Sequence, residues 1–190
     1  MGQGKFDIIV DHVILKLKDL SPALSYHSID HTIDVIRQCE RIAKDEGINE
    51  KELYLLKVAA LYHDTGFLET YADHEKKSCS IFEEDNKRFH FNYSEKELIL
   101  HLIMATKVPQ RPGTLLQKII CDADLDYLGR NDFPEISLRL KNEFMHYGLV
   151  SDEAAWKKLQ LTFLRDHHFH TRSSQLQREP VKMSNLSKLL

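Results

Sequence analysis

Apolar residues recur at helical spacing along almost the whole chain. Phe6, Ile9, Val10, Val13, Ile14 and Leu17 form one stripe with polar residues between them, the signature of an amphipathic helix. Ser21-Pro22 interrupts it. A second helix is predicted over about residues 28–44, with Gly47 just beyond as its stop. Asn49-Glu50-Lys51-Glu52 has the form of a capping box opening a helix toward His63. Ser94-Glu95-Lys96-Glu97 repeats that form before Leu98, Ile99, Leu102 and Ile103. Two prolines and a glycine within residues 107–113 predict a loop, and helical spacing resumes over residues 114–128. Asp132-Phe133-Pro134 opens another helix, with Pro134 near its first position and Gly148 past its end. Ser151-Asp152-Glu153 opens a last long one carrying Trp156, Leu159, Phe163 and Leu164. Nothing alternates over a strand length, so the expectation is one all-α domain, residues 1–190, of seven or eight helices.

Composition narrows the class of function. The chain has 190 residues, 42% hydrophobic and 29% charged, within the range of a soluble single domain. A net charge of −3 gives no pull toward DNA or an anionic membrane. No long apolar run predicts a membrane span, and the N-terminus leads straight into an amphipathic pattern without a signal-peptide core. Cys39, Cys79 and Cys121 are odd in number and far apart, so they read as reduced thiols. A cytoplasmic protein is expected. The 11 histidines are an excess, and histidine is the commonest metal ligand.

Three places combine histidine or aspartate with an apolar helix face. His31 precedes Val35, Cys39 and Ile42 on one stripe. His63 continues the stripe of Leu53, Leu56 and Ala60, with Asp64 after it and Thr65-Gly66 allowing the chain to bend. Asp122, Asp124 and Asp126 alternate beside Leu116, Ile119 and Tyr127 and cannot all share one helix face. Taken alone, each histidine reads as readily as a core imidazole satisfied by a backbone carbonyl. Taken together, two histidines and two carboxylates from three helices make a mixed nitrogen and oxygen set. Such a set suits a divalent ion such as Mn, Fe, Co, Ni or Mg better than structural zinc.

The order His31, then His63-Asp64, then an aspartate within Asp122-Ala123-Asp124-Leu125-Asp126-Tyr127-Leu128-Gly129 resembles the HD superfamily of metal-dependent phosphohydrolases. The resemblance covers about residues 25–129, with residues 130–190 expected as helices packed on that core. It implies His31, His63, Asp64 and Asp122 as metal ligands, Asp124 being the alternative to Asp122. His74, followed by Ser78, Cys79, Ile81 and Phe82, fits the spacing of a ligand for a second metal. Met104-Ala105-Thr106-Lys107 departs from the histidines that dinuclear branches carry there.

The activity implied is hydrolysis of a phosphate ester, on a small nucleotide-like substrate, by metal-activated water. Asp64 would orient or deprotonate that water. Lys107 in the proline loop, and His168 and Arg172 in the basic tail, are the candidate phosphate contacts. Two other classes are implied by the wider superfamily: a di-iron oxygenase, and a catalytically silent regulatory or ligand-binding domain. Neither DNA nor a membrane is an expected partner. The face of Phe6–Leu17 is a candidate surface for a homo-oligomer.

Overall fold

A computed structural model describes residues 3–190, with ten α-helices and no strand among them. Their order is α1 (Gln3–Leu17), α2 (Ile29–Asp45), α3 (Glu50–Tyr62), α4 (His74–Phe89), α5 (Tyr93–Ala105), α6 (Leu115–Asp124), α7 (Phe133–His146), α8 (Glu153–Asp166), α9 (Arg172–Gln177) and α10 (Glu179–Leu189). Short 3₁₀ turns, Thr65–Leu68 and Asp126–Gly129, follow α3 and α6. The all-α expectation holds, with more helices than seven or eight. The surplus comes from α4, which is polar along most of its length, and from the tail, which Arg178 and Pro180 divide into α9 and α10.

After its charged first turn helix α3 is apolar except for Lys57, and Leu56, Val58, Ala59, Ala60 and Tyr62 are fully buried. A helix of that kind can only lie at the centre of a bundle. Helices α1, α2, α4, α5 and α6 pack around it and bury Ile9, Val13, Cys39, Ile42, Phe82, Ile99, Leu102 and Ile119. The stripe Phe6–Leu17 is therefore spent inside the molecule, which corrects the expectation that it serves a subunit interface. The Lys16 ammonium and the Tyr62 hydroxyl both donate to Asp85, at 2.6 and 3.0 Å, and tie α1 and α3 to α4. A second apolar cluster joins Tyr26, Tyr127, Leu128 and Phe133 to Leu164, Phe169 and Leu186, and fastens α7, α8 and α10 to the turn after α6.

Helix starts follow local chemistry. Ser28 caps α2 and places His31 in its first turn. The Asn49 side chain accepts the N–H groups of Lys51 and Glu52 at the head of α3. The capping box expected at Ser94 lies two residues earlier. Asn92 accepts from the N–H of Glu95, and Glu95 accepts from the N–H of Asn92 in return.

Candidate metal centre

The His-Asp pair lies where α3 ends. His63 keeps helical angles, and Asp64 departs from them at φ −109°, ψ 4°. That change lets two adjacent side chains aim at one point. The turn is closed by Ser78, whose hydroxyl donates to the His63 carbonyl at 2.7 Å and accepts the Gly66 N–H at 2.8 Å. Gly66 is required for close approach and not for an unusual backbone angle. A Cβ there would lie 1.9 Å from the carbonyl oxygen of His74. Its bare backbone lets the head of α4, and His74 with it, seat against the pair.

The cluster gathers side chains from α2, α3 and α6. The Nε2 atoms of His31 and His63 are 3.3 Å apart. Asp64 Oδ2 lies 3.4 and 3.2 Å from them, and Asp124 Oδ1 lies 3.2 and 3.5 Å from them. Ligand atoms of His31, His63 and Asp124 all fall within 4.8 Å of one another. With bonds of about 2.1 Å, neighbouring ligand atoms lie about 3.0–3.4 Å apart for octahedral to tetrahedral angles.

The protonation pattern also fits a cation. His63 Nδ1 lies 2.7 Å from the Ala60 carbonyl, which can only accept, so Nδ1 carries a proton and Nε2 is the ring nitrogen turned to the cluster, where a bound cation would displace its proton. Asp64 Oδ2 is buried, and its only polar neighbours among the described residues are the two Nε2 atoms of the cluster, with no hydrogen-bond donor outside it. A buried carboxylate oxygen in that state calls for a positive charge. Burial pulls the His63 imidazole down, but the Asp64 and Asp124 carboxylates outweigh it and raise its pKa well above the usual value. Asp64 and Asp124 are held below the ordinary carboxylate range, burial being outweighed by the imidazoles.

Asp122 does not join this cluster, which corrects its placement among the metal ligands. It is fully buried and faces the segment before α9. One oxygen accepts the His170 N–H at 2.8 Å; the other accepts the Thr171 N–H at 2.7 Å and hydroxyl at 2.6 Å. Residues two apart on a helix point about 200° apart, so Asp122 and Asp124 cannot serve one site. Asp126, beyond the helix end, takes a third direction. It pairs with Arg41 at 2.7 Å and Arg178 at 2.8 Å. Asp124 Oδ2 accepts from the Gln110 amide at 3.1 Å, leaving Oδ1 for the histidines.

His74 lies beside the cluster, with its Nε2 3.4 Å from Asp64 Oδ1. The candidate phosphate contacts are elsewhere. Lys107 pairs with exposed Asp73. His168 and Arg172 are exposed, and neither they nor Lys107 line the two cavities that meet the cluster. The tail is not a free basic edge either. Arg178 is paired with Asp126, and buried Lys182 donates to the His167 carbonyl and pairs with Glu179 at 2.6 Å.

Two residues without a signal in the sequence shape the site. Glu143 of α7 is fully buried and accepts from the N–H groups of Tyr26 and His27 at 2.9 and 3.1 Å. It also takes the His27 Nδ1 and the Tyr71 hydroxyl. Burial pushes its carboxyl up, and these donors outweigh that and hold it below the ordinary range. Tyr26, fixed in this way, lays its ring 4.6 Å from that of His31. A polar cavity of about 190 Å³ opens beside His31 and Asp124, with Arg130, Arg139, Asp34 and Asp132 in its wall.

The family model described as HD domain matches residues 28–126. No curated protein matches the chain. Among solved structures, a crystal structure of a protein from Lactobacillus plantarum is similar, with a TM-score of 0.68 and 20% identity over 98% of this chain and 95% of that one. At that identity the likeness shows a shared fold.

Proposed function

The chain belongs to the HD domain family, most of whose members are metal-dependent hydrolases, and from that premise we propose that it hydrolyses a phosphate ester with a divalent metal ion. The observation that carries the reading is the convergence of His31 Nε2, His63 Nε2, Asp64 Oδ2 and Asp124 Oδ1, with Asp64 Oδ2 otherwise unpartnered. These four side chains are assigned as the ligands. A mixed nitrogen and oxygen set of this kind suits Mn, Fe, Co, Ni or Mg. When bound, such an ion lowers the pKa of a coordinated water and neutralises charge on phosphoryl oxygens.

The chain's own residues do the rest. Water attacks phosphorus, the P–O bond to the alcohol breaks, and the alcohol leaves with a proton. Asp64 accepts a hydrogen bond from the attacking water and orients it. His74, next to Asp64 Oδ1, fixes the rotation of that carboxylate. Gln110 does the same for Asp124.

The test is phosphate release from nucleotides and simple phosphate esters, with Mn, Co, Ni and Mg in parallel. Metal-dependent release that disappears in Asp64→Asn is the expected result. No release from any ester, with bound metal verified, overturns the reading. A nucleotide-like substrate is the class that the family resemblance implies, and that screen includes it.

A further inference from the structure

A second cavity meets the same cluster and differs from the first in kind. It has a volume of about 280 Å³, and its charged or titratable lining is Asp64, His74, Glu75 and Asp124 of the cluster and its border, with His27. The rest of its wall includes Leu128, Leu140, Phe144, Trp156, Leu159 and Phe163, from the turn after α6 and from α7 and α8. Among the described residues, no lysine or arginine lines it. Of its neutral polar groups, Ser137 and Gln160 are bonded to each other, and the Thr106 hydroxyl donates to the Ile103 carbonyl. Apolar cavities of about 150 Å³ already accept a benzene ring, so this one has room for a six- to eight-carbon group.

We infer that this chamber receives the apolar alcohol part of a phosphate monoester, so that the substrate is an alkyl or aryl phosphate whose phosphoryl group alone meets the metal cluster. The inference rests on the hydrolase reading and narrows it. A nucleotide would bring sugar hydroxyls and base edges against Leu140, Phe144 and Leu159, each unpaired polar group costing roughly tenfold or more in affinity. Further phosphates would bring charge into a wall that no lysine or arginine lines among the described residues. An aliphatic or aromatic group gains about fourfold per methylene enclosed. The reaction balances as simple hydrolysis: ester and water give alcohol and inorganic phosphate.

Trp156 is the chain's one tryptophan and stands in the chamber wall, so its emission reports occupancy without turnover. The full-length, metal-loaded protein is titrated with straight-chain alkylphosphonates from ethyl to octyl, whose C–P bond survives, and with AMP. The expected result is a saturable change in Trp156 emission, with Kd tightening about threefold to fourfold per methylene and AMP binding more weakly than octylphosphonate. Tighter binding of AMP, or a Kd that is flat with chain length, overturns the inference.

Hydrolysis separates the two readings. Release from AMP but not from octyl or naphthyl phosphate overturns the chamber and leaves the hydrolase standing. Release from no ester, with metal bound, overturns both. Leu159→Glu puts a charge in the wall at a side chain already 39% exposed and should erase the chain-length dependence. Leu138→Glu, exposed on α7 outside the chamber, should keep it. Retention of the dependence in Leu159→Glu counts against the chamber.

Discussion

Replacing Asp122 by alanine should weaken the fold and leave metal binding intact, and Asp124→Asn should do the reverse. Asp122 accepts two backbone N–H groups and one hydroxyl in a fully buried setting. Alanine strands both N–H groups, each costing about 1–3 kcal/mol, and leaves a small void. The expected loss is about 3–5 kcal/mol, a fall in Tm of roughly 10 °C for a chain of this size. Burial also pushes the Asp122 carboxyl up despite those donors, so the site holds its charge at some cost.

Asp124→Asn keeps the volume and removes a charge 3.2 Å from His31 Nε2. Its affinity for Mn should fall by about 100-fold or more. Isothermal titration of both variants with Mn, together with thermal melts of the metal-free proteins, separates the two roles. Asp122→Ala with an unchanged Tm and lost Mn binding would refute the reasoning, as would Asp124→Asn with full affinity.

Other consequences can be checked in the same way. Gly66→Ala forces a Cβ into the His74 backbone and should cost at least about 2 kcal/mol in urea unfolding; an unchanged midpoint would mean that α4 yields freely. Glu143→Gln keeps the shape but loses a charged acceptor for His27 and Tyr71, so a loss of about 2–4 kcal/mol is expected from the same measurement.

His167 has both ring nitrogens buried without partners, and burial pulls its pKa down to about 3, aided by Lys182. The unfolded chain takes up this proton near pH 6.5 and the folded one does not. The stability His167 contributes is therefore full above that pH and is lost progressively as pH falls toward 3. Between pH 7 and 5 the wild type should lose about 2 kcal/mol more than His167→Leu; parallel stability curves for the two proteins would show that His167 is not held neutral.

Much of the candidate site was legible because it depends on short-range periodicity. His31 and His63 continue apolar stripes that had to face inward, and a histidine followed by aspartate and Thr-Gly at a helix end signals a turn. The acid run was legible only as a set. Alternation shows that Asp122, Asp124 and Asp126 diverge, and it does not say which partner waits in each direction. That depends on where His170-Thr171, the two histidines and Arg178 arrive from distant parts of the chain.

The chain by itself determined the all-helical class, the position of most helices and the kind of chemistry available, since helix spacing and capping act within a few residues. Tertiary structure decided which acid faces the histidines and why Gly66 must be bare. It also decided that Arg178 and Lys182 of the basic tail are bound internally, and that a largely apolar chamber opens beside the cluster. Those outcomes come from contacts between residues tens of positions apart, whose partners no local pattern encodes. Glu143 illustrates the limit. It lies in a charged stretch of α7 like any solvated glutamate, and only packing against Tyr26, His27 and Tyr71 makes it part of the site.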